Sequence, residues 1–220
     1  MTVKILNYVG WSIVLSASLY FIFNNAFHYF SFNKHEYGAS LWPQHAPWLL
    51  IHIICGMTAL ILGPFQFIPA IRKKYPKVHR TMGKVYLCNV LVAGIASLDL
   101  SINKIIITEK AIAYGTGLAM LAIVWLLTSG MAYWSVRSKN FLQHREWMVR
   151  SFVVTCAFTT FRLMAKILAY QFHLGPSDLG PLLAWFCWAI PLFITEIFLQ
   201  GNKIRKGNLV PANNKSHVLS

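Results

Sequence analysis

Ile71-Arg72-Lys73-Lys74-Tyr75-Pro76-Lys77-Val78-His79-Arg80 and Val136-Arg137-Ser138-Lys139-Asn140-Phe141-Leu142-Gln143-His144-Arg145 are two basic stretches that read almost as copies of each other. They match at Arg72/Arg137, Lys74/Lys139, His79/His144 and Arg80/Arg145. Each follows one long apolar run and precedes another. A run of roughly 20 apolar residues covers a bilayer core of about 30 Å as a helix, so the pattern predicts membrane-crossing helices with one helix-loop-helix unit present twice. Two units that enter and leave the membrane in the same sense are related by an axis along its normal. Such an axis brings His79 and His144 to equivalent positions around a bundle. Topology alone also places Lys, Arg and His in such loops, and that alternative stands beside duplication.

Composition agrees with lipid as the solvent. Of 220 residues, 56% are hydrophobic and 12% charged, where a soluble domain carries about 25% charged residues. The mean hydropathy is +0.52. The net charge of +14 could suggest nucleic acid, but the cations sit in short loops between apolar runs, so nucleic acid is not an expected partner. Fifteen of the twenty Lys and Arg residues fall on one side of the expected topology: Lys4, the two repeated stretches with Lys84 and Arg150, and the tail. The other side has Lys34, Lys104 and Lys110. Cytoplasmic loops retain Lys and Arg, which puts both termini and both repeated loops inside, facing anionic lipid.

The expected fold class is therefore all-α: a polytopic bundle of six transmembrane helices over about residues 8–30, 47–71, 84–102, 111–136, 149–172 and 181–199. Residues 1–200 form one bundle domain and 201–220 a polar tail expected to be disordered. Ser16-Ala17-Ser18 resembles a signal-peptidase site, but the apolar run continues past it, which favours a retained first helix. Gly63-Pro64 lies inside the second helix, where Pro removes a backbone bond and kinks the axis. Cys55, Cys88, Cys156 and Cys187 form no Cys-x-x-Cys pair and read as packing residues.

Depth along each helix groups the polar residues. The outer half gathers His28, His52, Asp99, Lys166 and Arg162, provided their helices are neighbours. Ionised groups in a bilayer are costly unless paired or facing a cavity, so Arg162 and Lys166 mark a candidate ligand or ion site. An Asp99–Lys166 pair that only sets helix register is the plainer alternative. The cytoplasmic half gathers His79, Arg80, His144, Arg145, Glu146, Arg150 and Glu196, with the two glutamates as counter-ions to neighbouring arginines. Histidines near each face are what a membrane b-type haem protein needs: neutral imidazoles ligate the iron and cations pair with the propionates. His79 and His144 beside Arg80 and Arg145 are the candidate inner haem or metal ligands, and His52 with His28 the outer pair. Imidazole also suits copper and zinc.

His52-x-x-x-Gly56, Leu60-Ile61-Leu62-Gly63-Pro64-Phe65-Gln66-Phe67, His79-Arg80-x-x-Gly83-x-x-Tyr86 and His144-Arg145-x-Trp147-Met148-x-Arg150 resemble a family of predicted bacterial membrane proteins, domain of unknown function 2306, over about residues 48–200. The resemblance implies a multi-pass protein of the bacterial plasma membrane. It supplies no activity and transfers no catalytic residue. His52, His79 and His144 belong to the resembling motifs; His28 does not. Three functions stay open: a haem protein moving electrons to or from a redox partner, a transporter or channel with an Asp99, Arg162 and Lys166 site, and a non-catalytic sensor or assembly factor.

Overall fold

The computed structural model describes residues 2–31, 33–37, 43–107, 112–173 and 175–207, and all regular structure among them is helical. The helices are α1 (Thr2–Asn25), a 3₁₀ turn (Phe27–Ser31), α2 (Lys34–Tyr37), α3 (Ala46–Gln66), α4 (Pro69–Lys74), α5 (Pro76–Ile107), α6 (Ile112–Arg137), α7 (Phe141–Thr155), α8 (Ala157–Phe172) and α9 (Pro176–Gly207). Four of them, α3, α5, α6 and α9, are long and apolar enough to cross a membrane, and α7 with α8 makes a fifth if that bent pair is one span. The 24 residues of α1 reach about 36 Å at the helical rise of about 1.5 Å, a length compatible with the sixth span of the sequence reading.

Only 22% to 39% of each of the four spans is buried inside the protein. The outward remainder carries Leu91, Ile95, Leu127, Phe193, Ile197 and Phe198. An apolar surface of that extent needs lipid as its cover. The centre packs Tyr86, Val90 and Ala93 of α5 against Leu121, Trp125 and Ala132 of α6, with Met148, Phe152 and Val154 of α7 and Cys187 and Trp188 of α9. Small residues set the closest approach. A Cβ on Gly117 of α6 would stand 2.9 Å from the Cβ of Ala184 and 3.0 Å from its carbonyl carbon on α9, the small-residue contact that lets helix backbones meet in lipid.

Both basic stretches are mostly helix rather than loop. Pro76 opens α5, where its missing N–H has no partner to lose, so the helix starts eight residues before the expected Lys84. Asn140 caps α7 by accepting the Gln143 N–H at 3.1 Å, a standard N-terminal stop for orphan donors. The corners shrink to Tyr75 and to Ser138–Asn140. His79 and His144 consequently each occupy the fourth residue of their helix. Seven residues further along, Tyr86 and Ser151 stand 65 residues apart in sequence, the offset of the two histidines, and their hydroxyls meet at 2.8 Å.

Three other boundaries differ from expectation. The helix carrying Gly63-Pro64 ends two residues after Pro64 rather than at Ile71, and Phe67 N–H donates to Pro64 O at 3.1 Å. The fifth span is broken at Cys156 by a 44° bend although it contains neither Pro nor Gly there. Thr155 Oγ1 donates to Ser151 O at 2.9 Å, and such back-bonding by Thr bends helices. The sixth span runs on to Gly207, past the expected start of the tail at Gly201, because Lys203 is tied to Glu146 at 2.7 Å. Residues 208–220 lie outside the described residues.

Candidate functional site

The bend at Cys156 turns α8 so that its first turns close a cavity of about 180 Å³. On α7 and α8, Thr155, Phe158, Thr159 and Arg162 follow the three- and four-residue spacing that puts side chains on one helix face, and all four line it. The opposite walls come from Phe21, Asn25 and Tyr29 near α1, from His52, Met57 and Leu60 of α3, and from Leu121 and Trp125 of α6. His52 Nδ1 lies 3.0 Å from the Ala93 carbonyl oxygen, to which it donates as the N–H, leaving Nε2 without the proton. Trp125 and Phe158 stand edge-on to the His52 ring, with centroids 6.4 and 6.2 Å away.

Most polar groups of the wall are already engaged. Trp125 Nε1 donates to Thr155 Oγ1 at 2.9 Å, and Thr155 donates onward to the Ser151 carbonyl. Thr155 therefore accepts from the Tyr86 hydroxyl at 2.8 Å, Tyr86 accepts from Ser151, and Ser151 accepts from Ser129 at 2.7 Å. This donor order satisfies each of these buried hydroxyls and ties α5, α6 and α7 together behind the cavity, where a satisfied network rigidifies its surroundings. Two donors in the wall differ. Thr159 Oγ1 is buried without a partner. Arg162, exposed and the one Lys or Arg among the lining residues, has no hydrogen-bonding or carboxylate partner among the described residues; the Tyr114 phenol lies within its electrostatic reach.

Of the outer residues grouped by depth, the structure brings His52 and Arg162 together and leaves the others outside the wall. Asp99 faces His45, with Nδ1 and Oδ2 3.3 Å apart, and Lys166 sits over the Tyr20 ring at 5.5 Å. The alternative Asp99–Lys166 pair is not formed: the two side chains make separate contacts. His28 packs against Tyr29 with ring centroids 4.3 Å apart and does not line the cavity. Sequence reasoning missed Trp125, Thr155, Thr159 and Tyr29. Its one available signal was Thr155 and Thr159, small polar residues one turn apart from each other with Arg162 following.

The other end of the bundle holds the charges. Arg150 donates from Nε and Nη2 to Glu196 Oε2 at 2.8 and 2.6 Å, and Glu146 lies 3.8 Å from its Nη1. Both glutamates are counter-ions, as the sequence indicated. His144 Nδ1 donates to the Ala132 carbonyl at 2.8 Å. His79 lies within electrostatic reach of His144, Arg72 and Arg80, and its Nδ1 is buried without a partner. Gln66 Nε2 is likewise buried and unpartnered. Arg80 and Arg145 are exposed.

These geometries bear on a haem in two ways. A histidine that ligates iron commonly holds its other nitrogen on a carbonyl, as His144 and His52 do. They cannot share one iron: Thr155, which shares the cavity with His52, lies eleven residues beyond His144, about 16 Å along the helix. The cavity is smaller than the 300 Å³ at which pockets for drug-sized ligands begin, in approximate terms, and His28 is absent from its wall, so an outer haem pair does not fit. His79 lies within electrostatic reach of His144 at the other end of the bundle, where Arg80 and Arg145 are exposed. Among the described residues no three His, Cys, Asp or Glu side chains converge as a metal site.

The family model described as predicted membrane protein (DUF2306) matches residues 49–199. No curated protein and no solved structure matches the chain. The matched segment spans α3 to α9 up to Leu199, including His52, His79, His144 and Arg162, while Phe21, Asn25 and Tyr29 of the cavity wall precede it.

Proposed function

The chain belongs to the DUF2306 family of predicted membrane proteins, and from that footing we propose that it binds a small, largely apolar molecule inside the membrane, in the cavity between α1, α3, α6 and α8. The observation that carries this reading is the cavity itself, about 180 Å³ with mostly apolar walls. An engineered apolar cavity of about 150 Å³ takes up benzene. His52 and Arg162 give the wall two polar anchors, the mix of apolar surface and few placed polar groups that ligand pockets have. Transport or sensing of that molecule are the activities such a pocket serves. The basic end faces the cytoplasm of a bacterial plasma membrane and meets anionic lipid there, by the retention of Lys and Arg on that side.

Fluorobenzene tests the cavity. In lipid nanodiscs, ¹⁹F NMR is expected to give a saturable bound signal that Gly56→Leu removes. Gly56 lines the cavity and a Cβ there meets nothing within 4 Å, so a side chain starting there occupies cavity space. A signal identical in empty nanodiscs, or unchanged by Gly56→Leu, overturns the reading.

His79 and His144 support a second reading, an inner b-type haem. His144 offers Nε2, His79 lies near it, and Arg80 and Arg145 are available for propionates. A haem held there supplies one-electron redox chemistry. The purified protein is then expected to show sharp reduced bands that His79→Ala or His144→Ala abolishes. Colourless protein from haem-replete cells overturns it.

A further inference from the structure

We propose that the ligand of this cavity is a small aromatic carboxylate, its ring beside Trp125, His52 and Phe158 and its carboxylate on Arg162; the proposal rests on the reading of the cavity as a ligand site. Charge is the first argument. Among the described residues that line the cavity, Arg162 is the one Lys or Arg and there is no Asp or Glu. The Asp and Glu residues with ion-pair partners among the described residues are engaged elsewhere, Asp99 with His45 and Glu146 and Glu196 with Arg150. A cation within membrane depth is costly without a counter-ion, and a ligand that carries the negative charge supplies one. The planar guanidinium matches a carboxylate through two parallel hydrogen bonds.

Donor and acceptor supply is the second argument. Trp125 and Thr155 already have their protons committed, and His52 directs its N–H to Ala93. The Thr159 hydroxyl, buried without a partner, and the Arg162 guanidinium are two donors three residues apart on one helix face. A head group with acceptor oxygens satisfies both. Shape is the third. The rings of Trp125 and Phe158 stand at 76° and 70° to His52 and make flat walls for a ring. Phe158 and Arg162 are four residues apart, one turn along the same helix face, so a ring beside Phe158 carries its head group toward Arg162. The volume suits one ring and its substituent.

The experiment titrates 4-fluorobenzoate, its neutral isostere 4-fluorobenzamide, and fluorobenzene into the protein in nanodiscs at neutral pH, read by ¹⁹F NMR, with hexanoate as competitor. Wild type is expected to bind the benzoate about tenfold or more tightly than the benzamide, the size of a charge-assisted hydrogen bond. Arg162→Gln brings that ratio to about one, Arg162→Lys restores part of it, and both variants still bind fluorobenzene, which reports an intact cavity. Equal binding of benzoate and benzamide by wild type overturns the carboxylate while leaving the cavity reading in place. Hexanoate that competes as well as unlabelled benzoate overturns the aromatic part. If none of the three fluorinated probes gives a saturable signal lost in Gly56→Leu, the ligand-site reading itself fails.

Discussion

Arg150→Ala is expected to lower the stability of the detergent-solubilised protein by about 3 kcal/mol, measured by reversible unfolding in mixed micelles. Arg150 is the only cation that touches both Glu146 and Glu196 among the described residues. Its side chain and that of Glu146 are each 10% exposed, and its guanidinium also lies 4.6 Å over the Trp147 ring. Removing one partner of a buried pair costs about 3–5 kcal/mol because the other charge stays buried and uncompensated. Two features hold the expectation at the lower end. The Glu196 side chain is 40% exposed, so water takes over part of its solvation, and Lys203 keeps its 2.7 Å contact with Glu146. Arg150→Lys retains the charge but not the planar fork that reaches Glu196 through two nitrogens, and falls between wild type and alanine. The double variant Arg150→Met/Glu196→Leu recovers much of the loss, since replacing both members by apolar groups is often neutral. A loss below about 1 kcal/mol in Arg150→Ala would place the cluster among screened surface pairs and remove its role in joining α7 to α9.

Hydropathy made the membrane class legible, because spans need a long apolar run whatever they pack against. The helix starts were less legible for a physical reason. Charged residues do not end a helix; Lys and Arg are good helix formers, so α5 continues back through Lys84, Arg80 and Lys77 to Pro76. Pro76 and Asn140 were the usable signals, one at a first helical position and one as a cap. Among candidate site residues, depth grouped His52 with Arg162, and both line the cavity. Depth says nothing about which way a side chain faces around its helix, and so Asp99 met His45 rather than Lys166. The bend at Cys156 had no Pro or Gly to announce it, and without that bend the convergence of Thr159 and Arg162 on His52 is not visible. The hydroxyl network was hidden differently. Ser129, Ser151 and Thr155 each read alone as residues bonding their own helix, and only the crossing of α5, α6 and α7 brings them to Tyr86.

Gly63→Ala is expected to destabilise the protein by about 2 kcal/mol, within the range of about 1–3 kcal/mol that overpacking a filled core costs. A Cβ on Gly63 would overlap Cδ2 and Cε2 of Phe152. That ring has little freedom to retreat. Phe152 is buried, with Phe67 at 5.7 Å and Trp11 at 6.1 Å between ring centroids, and Trp11 in turn stacks on Phe67 at 5.0 Å. The contact therefore joins α1, the end of α3 and α7, and moving Phe152 disturbs all three. Gly130 provides the control. It lies inside α6 and a Cβ there meets nothing within 4 Å, so Gly130→Ala gains only the helix preference of alanine, about 0.5–1 kcal/mol of stabilisation. Opposite signs for the same chemical change separate packing from propensity. Phe152→Leu added to Gly63→Ala removes the overlapping ring edge, and the double variant is expected to lose less than the two single losses added together, a coupling that residues in contact show. Strict additivity would mean that Gly63 and Phe152 do not touch, and α3 would then cross α7 differently from the packing described above.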